Sequence, residues 1–160
     1  MFQTHSRLAN LVSSGFGSGY SPRAPGTFGS AAALLVWFGI SHLGALQNYL
    51  AQIILAGFTI LVGTLAIKAC ISGESTHSDP QWIVIDEWAG LFVALTGLTP
   101  GNLGLVALAF ILFRVLDASK IGPIGLAERL PGAAGIMADD VVAGLVAALT
   151  IYLLRIASGA

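Results

Sequence analysis

The chain has 160 residues, 56% of them hydrophobic and 9% charged, with a formal net charge of −1. A soluble domain carries about 25% charged residues, so this chain cannot cover a water-facing surface and reads as one integral membrane unit over residues 1–160. The near-neutral balance gives a nucleic-acid partner no electrostatic support, and the single cysteine, Cys70, excludes an internal disulfide and reads as a small buried hydrophobe.

Met1 to Arg7 lacks a basic region followed directly by an apolar core and a cleavage site, so no removable signal peptide is expected. Ser6 to Ser14 reads as a short interfacial helix with Leu8, Leu11 and Val12 on one face. Gly15 to Pro25 holds three glycines and two prolines and is expected to be a loop. Thr27 then reads as the N-cap of an apolar helix from Phe28 to about Leu43. A second apolar helix, Tyr49 to Ile71, is long enough to span a bilayer, which takes about 20 residues.

Ser72 to Ser78 is a polar loop, and Asp79-Pro80 reads as N-cap and first residue of a third helix ending near Leu98. Thr99 to Asn102 is a turn, and a fourth helix follows from Leu103 to Ser119. Ile121 to Met137, with Pro123 and Pro131, is a loop or short helix, and a fifth long helix runs from Ala138 to Ile156. The expected fold is therefore all-α: an integral membrane bundle of about five transmembrane helices preceded by the short interfacial helix.

Lys and Arg orient this bundle. Alternating loops put Arg7, Arg23, Lys68, Lys120 and Arg129 on one side, and the other side has neither Lys nor Arg until Arg155. By the positive-inside rule the first side is cytoplasmic. The same assignment brings Asp86-Glu87, Asp117, Asp139-Asp140 and the Pro25-Gly26-Thr27 turn to one depth on that side. A carboxylate at membrane depth costs about 2.5–3.5 kcal/mol, so adjacent acids in an apolar run call for a cation.

Arg114, Asp117 and Lys120 are spaced by three and share one helical face. That face is either a solvated helix end with an internal ion pair or a phosphate-binding surface with Asp117 as a metal ligand between two bases. Asp139 taken alone is equally a helix cap or a ligand. Asp140, Gly144 and Ala148 repeat the spacing of Asp86, Gly90 and Ala94. Small residues let membrane helices approach closely, so the third and fifth helices are expected to pack there and join their acids. Oxygen donors at this density suit Mg²⁺ or Mn²⁺ rather than zinc.

The backbone N–H groups of Thr27 to Ser30 open a helix, where they either bind a phosphate or are simply capped. Gly26 and Gly29 permit close approach. His5, His42 and His77 lack ligand spacing and read as surface residues, and Tyr20, Trp82 and Trp88 as interfacial anchors or packing residues.

Four stretches carry a family resemblance. They are Gly17 to Ser30 (GSGYSPRAPGTFGS), Asp79 to Gly90 (DPQWIVIDEWAG), Phe110 to Lys120 (FILFRVLDASK) and Gly135 to Gly144 (GIMADDVVAG). Together, and in this order over nearly the whole chain, they resemble the bacterial phosphatidylglycerophosphatase A family. The chain departs from the family pattern at Ile121-Gly122-Pro123 and at Gly132-Ala133, both between the fourth and fifth helices.

The resemblance implies a multi-pass inner-membrane phosphatase that uses Mg²⁺ to remove the terminal phosphate of phosphatidylglycerophosphate, giving phosphatidylglycerol. The substrate would be a phospholipid in the bilayer, met at the cytoplasmic face. Asp86, Glu87, Asp117 and Asp140 are then expected to hold Mg²⁺ with help from Asp139. Arg114 and Lys120 would balance charge on the phosphoryl oxygens, and Gly26, Thr27 and Ser30 would line the phosphate site. The competing readings are another Mg²⁺-dependent phospholipid enzyme such as a CDP-alcohol phosphotransferase, whose longer aspartate motif is not visible here, a small cation-coupled transporter, and a structural subunit.

Overall fold

The structure is a computed structural model that describes residues 7–71 and 80–158. His5, His77, the Ser72–Ser78 loop and Asp79 lie outside the described residues. Those residues form seven α-helices and one 3-10 turn, with no strand among them.

Helix α1 (Arg7–Ser13) is short, and a 3-10 turn (Ser18–Tyr20) follows it in the glycine-rich segment expected to be a loop. Helix α2 spans Pro25–His42 and α3 spans Tyr49–Ile71. Helix α4 covers only Ile85–Ala94, α5 covers Leu103–Ser119, α6 covers Pro123–Ala127, and α7 covers Ala133–Ser158.

Three helix starts differ from the sequence reading, and the helix expected to end near Leu98 ends at Ala94. Helix α2 starts at Pro25, a residue preorganised for the first helical position, and its N-cap is Ala24 rather than Thr27. Helix α4 begins at Ile85, not Pro80, so Asp86 and Glu87 stand in its first turn rather than two turns in. Helix α7 begins at Ala133 instead of Ala138, which places Asp139 and Asp140 about two turns inside it, so Asp139 does not cap a helix.

Among the described residues two helices, α3 and α7, are long and apolar enough to cross a membrane. Helix α4, with ten residues, is about 15 Å long, half the bilayer core. It is instead the buried centre of the bundle: every residue from Ile85 to Ala94 except Glu87 is buried. Around it, the outward faces of α2, α3, α5 and α7 expose Leu35, Phe58, Leu61, Ile111 and Leu153. Large apolar side chains exposed on four helices suit a lipid surrounding.

Close backbone approach fixes α4 against its neighbours. A Cβ on Gly90 would lie 2.5 Å from the Asp140 carbonyl oxygen and 2.6 Å from the Phe113 ring, and a Cβ on Gly144 would overlap the Gly90 carbonyl. On α3, a Cβ on Gly63 would come within 2.8 Å of Met137 Cε and 3.1 Å of Ile85 Cγ1. At the start of α4 the Val84 N–H donates to the Ser13 carbonyl at 2.9 Å, tying α1 to the segment that delivers the acids.

The other end of α4 is held by Gln52 of α3. Its Nε2 donates to the carbonyls of Leu46 and Leu98 at 3.0 and 3.1 Å, and its Oε1 accepts from the Gly97 N–H at 2.6 Å. A buried side-chain amide satisfied in this way locks the turn after α4 onto α3. Cys70 is buried, as expected, and approaches Ser13 Oγ at 3.4 Å.

Candidate active site

The acids come from three helices that meet at one end of the bundle. Asp86 and Glu87 are in the first turn of α4, where the helix dipole favours negative charge. Asp117 lies in the last turn of α5, and Asp139 and Asp140 lie on α7 behind the Gly90–Gly144 contact. Asp86, Asp117, Asp139 and Asp140 are buried, and Glu87 is nearly so.

Two triads of carboxylate oxygens result. Asp86, Glu87 and Asp140 bring one oxygen each within 4.8 Å of one another, and so do Asp117, Asp139 and Asp140. Asp140 belongs to both. Five carboxyls therefore face two bases, Arg114 and Lys120.

The bases are distributed unevenly. Lys120 Nζ donates to Asp117 Oδ1 at 2.9 Å and to Asp139 Oδ2, and it sits 3.9 Å from Asp140 Oδ1. The Lys120 ammonium thus occupies the second triad. Burial alone would pull its pKa down, but the hydrogen bond to Asp139 and the charges of Asp117 and Asp140 prevail and raise it above the ordinary lysine value. Lys120 ends α5 with a left-handed backbone, φ 49°. That conformation is costly for a side chain with a Cβ, and here it turns the ammonium back over the acids.

Arg114 Nη1 donates to Asp117 Oδ2 at 2.6 Å and lies 3.9 Å from Glu87 Oε1. Its Nε is buried and has no hydrogen-bond partner, and the same holds for Glu87 Oε2 and Asp140 Oδ2. Leaving such atoms unpaired in the interior costs about 1–3 kcal/mol each, more for charged groups. They fall on the Glu87–Arg114 side of the cluster, where bonding capacity is left over.

The N-terminal turn of α2 closes this side. A Cβ on Gly26 would overlap Glu87 Oε1 and lie 3.1 Å from Arg114 Nη2, so the bare backbone of Gly26 forms a wall against both. The other α2 residues are placed differently from the sequence expectation. The N–H groups of Thr27 and Phe28 donate to the Ala24 carbonyl at 3.0 and 3.1 Å, so they are not free donors. Ser30 is buried, and its hydroxyl donates to the Gly26 carbonyl at 2.8 Å. Gly29 provides clearance for Val84 rather than for a phosphate.

The structure therefore brings together Asp86, Glu87, Arg114, Asp117, Lys120, Asp139, Asp140 and Gly26. Thr27 and Ser30 stand beside them with their polar groups engaged elsewhere. His42 is exposed, Tyr20 stacks on Trp82 with centroids 6.1 Å apart, and Trp88 is a packing residue. The sequence reading missed that Lys120 serves the acids first, because the left-handed turn that aims it is not written in its spacing.

A helical bundle with an apolar exterior and an acidic, base-bridged centre at one end fits an enzyme of the lipid phosphatase class. The chain belongs to the phosphatidylglycerophosphatase A family, whose model matches residues 11–155. It is 37% identical over 144 residues to phosphatidylglycerophosphatase A of Escherichia coli (strain K12), covering 89% of this chain and 81% of that protein. It is 31% identical over 147 residues to phosphatidylglycerophosphatase A of Haemophilus influenzae, covering 91% of this chain and 88% of the relative. A Bacteroides thetaiotaomicron protein named as a candidate phosphatidylinositol-3-phosphatase is 33% identical over 156 residues, covering 92% of this chain and 94% of the relative. No solved structure matches.

Proposed function

We propose that this protein hydrolyses the terminal phosphomonoester of phosphatidylglycerophosphate, releasing inorganic phosphate and phosphatidylglycerol. We place the reaction at the cytoplasmic face of the bacterial inner membrane, with the chain crossing the bilayer several times and Mg²⁺ as the cofactor. Family membership supports the phosphatase activity, and the basic residues on the acid side support the orientation. The observation that carries the site is Asp140 shared between two acid triads, only one of which is filled by a protein cation.

The residues fit a hard divalent cation. Asp86, Glu87 and Asp140 offer three clustered carboxylate oxygens, and Glu87 Oε2 and Asp140 Oδ2 are buried without a hydrogen-bond partner. These three would hold Mg²⁺, which when bound supplies charge neutralisation for phosphoryl oxygens and a more acidic water. Asp117 and Asp139 support them from behind Lys120.

The chain's own groups then divide the work. Arg114 would offer its unpaired Nε–H to the phosphate, while its Nη1 stays on Asp117. Gly26 lets Glu87 and Arg114 sit against the start of α2 without a side chain in the way. Lys120 holds Asp117 and Asp139 in fixed positions and keeps the acid cluster from repelling itself apart.

Both oxygens of Asp117 and both of Asp139 are already engaged, the latter by Lys120 and the Asp140 N–H. The other three acids would be the cation ligands. With that division of roles, direct attack of water on phosphorus is the reading adopted, and an aspartyl-phosphate is the alternative that the trapping experiment separates from it. The new bond is water oxygen to phosphorus, the bond broken is phosphorus to the glycerol oxygen, and a water proton ends on that oxygen.

Phosphate release by detergent-purified protein tests the substrate, with phosphatidylglycerophosphate, phosphatidic acid and phosphatidylinositol 3-phosphate compared. The fastest turnover is expected with phosphatidylglycerophosphate. Preference for phosphatidylinositol 3-phosphate would transfer the head-group assignment to that of the Bacteroides relative's name.

A further inference from the structure

A second site lies at the opposite end of the bundle. Helices α3, α4 and α7 leave a groove of about 500 Å³ between them, lined on α7 by Val141, Leu145, Leu149 and Tyr152 and on α3 by Ile53 and Gly57. It ends at Tyr49, Gly97 and Arg155. From Val141 to Arg155 the α7 wall is about 21 Å long at 1.5 Å per residue. The volume falls within the range of about 300–1,000 Å³ typical of small-molecule sites.

Arg155 sets the chemistry of that mouth. Every acidic side chain of the described residues, Glu128 included, belongs to the other end of the bundle. Arg155 is also the only lysine or arginine at its own end. It is half-buried, and among the described residues its one hydrogen bond is Nη1 to the Gly97 carbonyl at a long 3.4 Å. A guanidinium has five donors, so most of its capacity is unused by those residues. The Tyr49 ring packs over Gly97 beside it, with its hydroxyl at the same mouth.

We propose that this groove binds one anionic phospholipid from the leaflet opposite the acid site, with its phosphate on Arg155 and an acyl chain running along α7 toward Val141. Charge complementarity selects the occupant. An unbalanced arginine at the lipid boundary takes a phosphate oxygen pair in bidentate fashion, and the apolar walls take hydrocarbon. The proposal rests on the membrane reading of the chain and not on the acid centre.

Thermal unfolding of the full chain in a neutral detergent tests it, with phosphatidylserine or phosphatidylcholine added. Neither lipid is a phosphomonoester. Phosphatidylserine is expected to raise the Tm of the wild-type protein, and phosphatidylcholine much less. Arg155→Gln should weaken the apparent phosphatidylserine affinity about tenfold, the worth of a charge-assisted contact. Gly57→Leu is the second variant: a Cβ there meets nothing within 4 Å, so the backbone accepts a side chain at the groove wall, and the variant should abolish the shift while leaving the Tm without lipid intact. Asp140→Asn should keep the full shift, which separates this site from the phosphatase site. An equal response to the two lipids, or an unchanged phosphatidylserine response in Arg155→Gln or Gly57→Leu, overturns the proposal.

Discussion

Gly144 of α7 packs its backbone directly on the backbone of Gly90 of α4, so closely that a Cβ on Gly144 would overlap the Gly90 carbonyl. One turn away on the same faces stand Asp140 and Asp86. The glycine contact sets the distance between the two helices, and that distance sets the Asp86–Glu87–Asp140 triad.

Gly144→Ala should therefore act on the site without touching it. The obstructing atoms are backbone, which cannot swing aside, and overpacking of this kind costs about 1–3 kcal/mol. We expect a lower Tm together with weaker Mg²⁺ dependence, read as a higher Mg²⁺ concentration for half-maximal activity. A variant with normal Tm and normal Mg²⁺ dependence would show that the contact does not set the triad.

Lys120→Met should leave Asp117, Asp139 and Asp140 facing one another without the ammonium. Removing one partner of a buried ionic cluster costs about 3–5 kcal/mol, and the 32% side-chain exposure of Lys120 places the loss at the lower end. Denaturant unfolding checks this, and adding Asp139→Asn to the variant should recover part of the loss.

The pH dependence of Lys120 follows from the raised pKa. Its stabilisation is complete below the unfolded lysine value of about 10.4 and is lost only as pH rises through the higher folded value. Between about pH 6 and 9 the ammonium stays charged, so the difference in stability between wild type and Lys120→Met should not shrink. A difference that shrinks steadily over that window would contradict the assignment.

Arg114→Lys keeps the charge but removes the Nε donor and the planar fork. Because the contact to Asp117 can be kept by an ammonium, stability should change little. The phosphate contact cannot, and kcat/KM should fall about 10²-fold, comparable to losing one transition-state donor. Steady-state kinetics with both parameters resolved would show it.

Direct attack by water makes an isotopic prediction. Turnover in ¹⁸O-water should put one label into released phosphate and none into the glycerol oxygen, and acid quenching should trap no phosphoprotein. A hydroxylamine-labile phosphate on any aspartate would replace this mechanism with a covalent one.

Much of this site was legible in the sequence because membranes penalise charge so heavily. Asp86-Glu87 and Asp139-Asp140 in apolar runs had to converge on something positive, and the repeat of acid, Gly and Ala on two helices pointed to the contact now seen at Gly90 and Gly144. Helix starts were less legible. Asp79-Pro80 carries the chemistry of an N-terminus, yet Pro80 to Val84 forms no helix; tertiary contacts of Val84 with Ser13 and Gly29 hold that stretch instead. Gly132 to Gly135 looked like loop beside Pro131, but a Cβ on Gly135 would overlap the Leu130 carbonyl, so the glycine serves a close fold-back and α7 starts early. Thr27 looked like a cap for a helix from Phe28, and Pro25 took the helix start three residues sooner.

Phosphate release from phosphatidylglycerophosphate as a function of Mg²⁺, in wild type and Asp140→Asn, tests the central claim most directly. Asp140 is the residue common to both triads, and Asn keeps its shape while removing its charge. The wild type should be active with Mg²⁺ and inactive in chelator, and Asp140→Asn should fold normally and turn over at least about 10³-fold more slowly at every Mg²⁺ concentration. Full wild-type activity in chelator, or an Asp140→Asn rate close to wild type, would contradict a cation-holding acid centre.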